Sequence, residues 1–176
     1  MKGLVVVLLA LVFAGLAAWY FYAASGSPPP AGIISMERAE EVGAIYEEAR
    51  NTPDLDLLDR IYSADALIHD CSLPEDIVGL DALKAYYQGN HDGFPDLSMQ
   101  VHDMFLAQEK IAFLWTFSGT HTGDMRGMPA TGRSVSFSGV AIDRIVDGQI
   151  VEEWVYFNVL DLMQQLGMQL VPVEGG

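Results

Sequence analysis

The residues of this chain best placed to do chemistry lie in two neighbouring alternating runs. In KIAFLWTFSGTHTG, the side chains of Ile111, Phe113, Trp115, Phe117, Gly119 and His121 fall on one side of an extended strand. In RSVSFSGVAIDRIV, those of Val135, Phe137, Gly139, Ala141 and Asp143 do the same. An aromatic wall of Trp115, Phe117 and Phe137 ending in His121 suits the lining of a pocket for a small apolar molecule. It suits equally a packed core whose rim carries His121, and the pattern alone does not choose. His69 and His121 lack the tight ligand spacing, such as an i, i+4 pair, of a zinc site, so no metal is expected. Cys71 is the only cysteine, which excludes an internal disulfide, and it reads as a small buried hydrophobe rather than a nucleophile.

These runs need a frame. From Ile34 to Asn51, Ala39, Val42, Ala44, Ile45 and Ala49 fall mainly on one helical face, with glutamates elsewhere. Thr52-Pro53-Asp54 restarts the chain, with proline at the first position of a second short helix through Leu57, Leu58 and Ile61. Ala66 to Cys71 reads as a short strand, and Gly79 to Gly89 as a third helix. From Asp96 onward the period is two, in four long runs that make an antiparallel meander. Asp147-Gly148 joins the last two, a strong hairpin signal because the tight turn needs positive φ angles. A final helix, NVLDLMQQLG, is closed by Gly167. Helices followed by a curved sheet make one α+β domain over 34–170.

The formal net charge is −15, with nine Lys and Arg against 24 Asp and Glu. No basic stripe is available to neutralise phosphates, so nucleic acid is not an expected partner. The run from Gly3 to Ala24 is uncharged and, as a helix, long enough for a bilayer core of about 30 Å. Lys2 before it and Trp19, Tyr20 and Tyr22 near its end fit an uncleaved anchor in residues 1–24 that leaves the domain on the extracytoplasmic side. The rival is a signal peptide cleaved near Ala23-Ala24-Ser25-Gly26, which would release the domain. Residues 25–33, containing GSPPPAG, read as a linker.

The stretch GTHTGDMRGMPATGRSVSFSGVAIDRIVDGQIVEEW, followed by QQLG, resembles the SnoaL-like polyketide cyclases, or ester cyclases, of the nuclear transport factor 2-like superfamily. ALIHDC, GLDALKAYY and FPDLSM are similar to that family's first strand, third helix and second strand. The resemblance covers roughly residues 36–167. It implies a cone of N-terminal helices wrapped by a curved antiparallel sheet around an apolar cavity. It also implies a reaction without metal or cofactor, in which a cavity carboxylate removes a proton from carbon flanked by carbonyls and the enolate closes a ring. Pairing of the open sheet face into a homodimer is a further expectation from the superfamily.

The chain departs from the pattern where it matters most. The family reads similar to Gly-Ile-Asp-Ile-Phe-Arg, whereas this chain reads Gly139-Val140-Ala141-Ile142-Asp143-Arg144, with Ala141 at the catalytic position. Asp143 lies two residues on, on the same face and about 7 Å along the strand. It is either a displaced base or a rim partner of Arg133 or Arg144. The family's aspartate four residues after the tryptophan is Asn158, following Trp154. His121 matches the family's His-Thr-Gly position and His69 its first-strand histidine. With an ordinary pKa near 6.5, either could act as base. His69 reads equally as a hydrogen-bonded strand-end residue, and Trp154 as cavity wall or core. Of Glu152 and Glu153, at most one can point inward. Two functional classes stay open: acid/base chemistry on a small carbonyl or ester compound by His121 assisted by Asp143, or a non-catalytic pocket for an apolar ligand.

Overall fold

The computed structural model describes residues 34–169 and 171. The expected anchor, the linker and the cleavage site lie outside the described residues. Among those described, no helix is long and apolar enough to cross a membrane.

Helix α1 (Met36–Asn51) starts at Ser35, whose hydroxyl accepts the Arg38 backbone N–H at 3.2 Å. It buries Ala39, Val42, Ile45, Tyr46 and Ala49, an i, i+3, i+4 stripe. Ala44, expected on that face, is exposed, and Tyr46 takes its place. A six-residue 3-10 helix, Leu55–Arg60, stands where the second helix is expected. Its N-cap is Asp54, so Pro53 precedes the cap instead of opening the helix. Strand β1 (Tyr62–Asp70) begins four residues earlier than alternation suggests. A two-residue β2 (Ile77–Val78) lies antiparallel to it. Helix α2 (Leu80–Gly93) runs past Gly89. Cys71 follows β1 and is exposed, correcting the buried reading.

The meander is as the alternation predicts: β3 (Ser98–Ala107), β4 (Lys110–Thr120), β5 (Ser134–Val146) and β6 (Gln149–Phe157), each antiparallel to the next. Asp147 and Gly148 both have positive φ, 50° and 81°, as the tight hairpin requires. Strand β1 adds to β6 in parallel, giving one mixed sheet in the order β2-β1-β6-β5-β4-β3. Register shifts in β1, β3 and β5 interrupt the ladders, as strongly curved sheets require. Helix α3 (Val159–Gln165) is capped by the Asn158 side chain, which accepts the Asp161 N–H at 3.0 Å. Gly167, at φ +90°, ends it.

The core lies between the helices and the concave sheet face. Along β4 and β5 the inward residues pair as Ile111 with Asp143, Phe113 with Ala141, Trp115 with Gly139, and Phe117 with Phe137. Gly139 is required here by space: a β-carbon would run into the Trp115 indole and the Tyr156 carbonyl oxygen. Gly139→Ala should therefore cost about 1–3 kcal/mol of stability, the range for overpacking, and displace the Trp115 ring. Urea unfolding read alongside near-UV circular dichroism checks both effects.

Candidate functional site

Three zones follow one another along the inner face of β4 and β5. Where Asp143 faces Ile111, the sheet carries a sealed polar network. Around Trp115, Phe117 and Phe137 it opens into a cavity. At the far end of β4, His121 closes the wall.

The network centres on Glu153, which is fully buried on β6 and paired in register with Asp143. The Tyr46 and Tyr62 hydroxyls donate to its two oxygens, at 3.0 and 2.7 Å. Arg50 lies one helical turn after Tyr46. Its Nη2 donates to the Tyr46 oxygen at 2.8 Å and stands 3.4 Å from Glu153. Asp143 is equally buried, but neither of its oxygens has a hydrogen-bond partner. Burial, followed by the neighbouring Glu153 charge, pushes its pKa well up. Burial also raises Glu153, but Arg50, Tyr62 and Tyr46 oppose that rise. The negative charge therefore resides on Glu153 and the proton on Asp143. Asp143 makes no ion pair with Arg133 or Arg144. Arg144 faces the other side of the sheet, where it pairs with Glu152 at 2.9 Å.

His121 is fully buried too. Its Nδ1 lies 3.3 Å from the Thr131 backbone N–H. Nε2 has no partner, and the ring packs at 5.0 Å from Phe94. His121 and Asp143 stand at opposite ends of β4, separated by about 30 Å of extended chain at roughly 3.3 Å per residue. They do not form one site.

Between them lies a cavity of about 250 Å³. Trp115, Phe117 and Phe137 line it, together with Met99, Phe94 and Phe157. Neither His121 nor Asp143 is among its lining residues. Ala141 is buried between Phe113 and Val155. Trp154 and His69 are on the convex face, because alternation sends Glu153 and Val155 inward on β6 and Ile68 and Asp70 inward on β1. Their rings stack at 5.5 Å. His69 sits between Asp76 (2.9 Å) and Glu152 (3.2 Å). Burial alone would lower its pKa, but the two carboxylates outweigh that and raise it. Asn158 serves as a helix cap.

The cavity's polar groups are ones that the sequence reading passed over. Asp70 ends β1 facing inward and is 8% exposed. Its Oδ1 accepts the Ser72 N–H and hydroxyl at 2.8 and 2.6 Å, and its Oδ2 accepts the Tyr86 hydroxyl at 2.9 Å. Burial and the Asp70 charge both raise the Tyr86 pKa, so that phenol stays a donor. The Trp115 indole N–H is buried without an acceptor in the protein. Arg50 and Arg126 complete the charged lining. The signal for Asp70 was present in ALIHDC: if His69 points outward, Asp70 points in. Among the described residues no cluster of His, Cys, Asp and Glu could hold a metal ion.

A model of the SnoaL-like polyketide cyclase family matches residues 40–166, and this chain belongs to that family. Solved structures agree. TsrD from Streptomyces laurentii is 25% identical, with a TM-score of 0.69 over 76% of this chain and 98% of its own. AclR from Streptomyces galilaeus, described as a proposed hydroxylase, is 29% identical, with a TM-score of 0.66 over 78% and 87%. IdmH from Streptomyces antibioticus, described as a proposed polyketide cyclase, is 27% identical, with a TM-score of 0.62 over 73% and 98%. No curated protein matches the chain significantly in sequence.

The Asp143 proton has a measurable consequence. A carboxyl whose folded pKa lies above its unfolded value of about 3.9 favours the folded state below that pH. This contribution is lost as the pH rises toward the folded pKa. Asp143→Asn should therefore flatten the fall in stability above about pH 4 and leave the variant relatively more stable at neutral pH. Denaturant midpoints measured from pH 4 to 8 on both proteins check this.

Proposed function

We propose that the cavity binds a small, largely apolar carbonyl or ester compound and that Asp70 removes a proton from the carbon beside its carbonyl. One observation carries the reading: Asp70 is the carboxylate that lines the aromatic cavity, held in place by Tyr86 and Ser72. The substrate's C–H electrons move into the enolate as its proton passes to Asp70. Proton removal by a carboxylate held in this way is general-base catalysis. The apolar walls exclude water and hold the compound folded for ring closure or isomerisation. The step as written requires no cofactor. His121 and Asp143 act on the wall and the network behind the cavity instead of on the substrate.

A second reading, a pocket that binds an apolar ligand without turning it over, is favoured by Ala141 at the family's carboxylate position. The tether expected in residues 3–24, with the domain facing outward, belongs to either reading and places both outside the cytoplasm.

Deuterium exchange at the activated CH₂ of 2-tetralone separates the two, because exchange requires enolisation alone. Wild type should accelerate exchange over buffer. Asp70→Asn should lose about 100-fold or more of that acceleration, the scale of general-base catalysis, with its thermal midpoint and its affinity for the ketone retained. Exchange that persists in Asp70→Asn would remove Asp70 from the chemistry, and wild-type exchange at the buffer rate would favour the binder.

A further inference from the structure

The chain has 24 acidic and nine Lys and Arg side chains, yet the charged residues lining its cavity are Arg50, Arg126 and Asp70. A strongly anionic protein thus presents a cavity wall with two guanidiniums against one carboxylate. Both cations are held by the same device. Tyr86 and Tyr87 are consecutive on α2; the Arg126 guanidinium lies 4.3 Å from the ring centre of Tyr86 and that of Arg50 3.6 Å from the ring centre of Tyr87.

Neither arginine is used up by this anchoring. Arg50 commits Nη2 to Tyr46 and Glu153, while its Nε is buried without an acceptor and its Nη1 makes no hydrogen bond among the described residues. Arg126 is exposed; its Nη1 donates to the Asn90 side chain at 2.8 Å and the Tyr86 carbonyl at 3.4 Å. Among the described residues no carboxylate lies within ion-pair distance of it. Asp70 does not cancel these charges by contact, because its oxygens are already taken by Ser72 and Tyr86. Unused guanidinium donors at an apolar wall are costly, and an anionic acceptor there gains a charge-assisted hydrogen bond in low dielectric.

We infer that the natural ligand is an amphipathic organic acid, with its apolar body against Trp115, Phe117 and Phe137 and its carboxylate on the uncommitted Nη1 of Arg50. Arg126, at the rim, draws the anion in, and Glu153 positions Arg50 from behind. The inference rests on the cavity being the ligand site, as proposed above, but not on Asp70 acting as a base.

Calorimetric titration of the full-length chain with 2-naphthoate and with 2-naphthamide tests it, since the two share a ring system and differ in charge. The acid should bind at least about tenfold more tightly, the scale of one charge-assisted hydrogen bond. Arg50→Lys keeps a cation for Glu153 and so keeps the fold, but its single ammonium cannot serve Glu153 and the ligand together; most of the preference should vanish. Arg126→Gln, at an exposed position, should weaken the acid about two- to threefold and leave the amide unchanged. Equal affinity for the two probes overturns the inference while sparing the cavity, as does a preference unaltered in both variants. Binding of neither probe overturns the cavity reading with it.

Discussion

The fold turns on one buried carboxylate, Glu153. An anion fully removed from water is expensive unless donors surround it. Here the three donor residues come from two separate elements: Tyr46 and Arg50 from α1, and Tyr62 from β1. Satisfying Glu153 therefore ties the first helix to the parallel β1–β6 seam. Asp143 beside it has no donors, and burial followed by the Glu153 charge holds its proton on. Two acids in register on adjacent strands divide the roles of anion and neutral neighbour through the Arg50 charge and the tyrosine hydrogen bonds on Glu153.

That network also shapes the cavity. Arg50 belongs to both, with one end of its guanidinium on Glu153 and the rest on the cavity wall. The counter-ion behind it lets a cation stand in an otherwise aromatic and methionine-lined space. The second cation reaches the cavity from the β4–β5 connection, which is fastened to α2 by the Thr122 and Gly123 N–H groups on the Gly93 carbonyl, each at 3.1 Å. Close packing fixes this connection, since a β-carbon on Gly123 would run into the Asp92 carbonyl.

Within the SnoaL-like family, this chain places its cavity carboxylate at a different point of the wall from the family pattern. The position that the family pattern gives to an aspartate is Ala141, packed between Phe113 and Val155. The carboxylate that meets the cavity comes instead from the end of β1. Fold membership settles the frame, and the side chains that reach the cavity decide what the frame does.

Alternation alone determined the meander, the Asp147-Gly148 hairpin, and the inward faces of β4 and β5, because a strand's side chains have only two directions. It also determined that only one of Glu152 and Glu153 could face in. Apolar periodicity carried the helices-then-sheet order as well, and the family resemblance agreed with it, though a short 3-10 helix replaced the second α-helix. Tertiary structure decided the rest. Position along a strand, unlike face, is invisible to a period of two: His121 and Asp143 share a face yet stand far apart. Pairing across the sheet is invisible as well, since it is the parallel union of β1 with β6 that brings Asp70 beside Val155 and sets Trp154 against His69. Whether a buried acid is an anion or holds its proton depends on donors contributed by elements distant in the chain, and only the folded molecule assembles them.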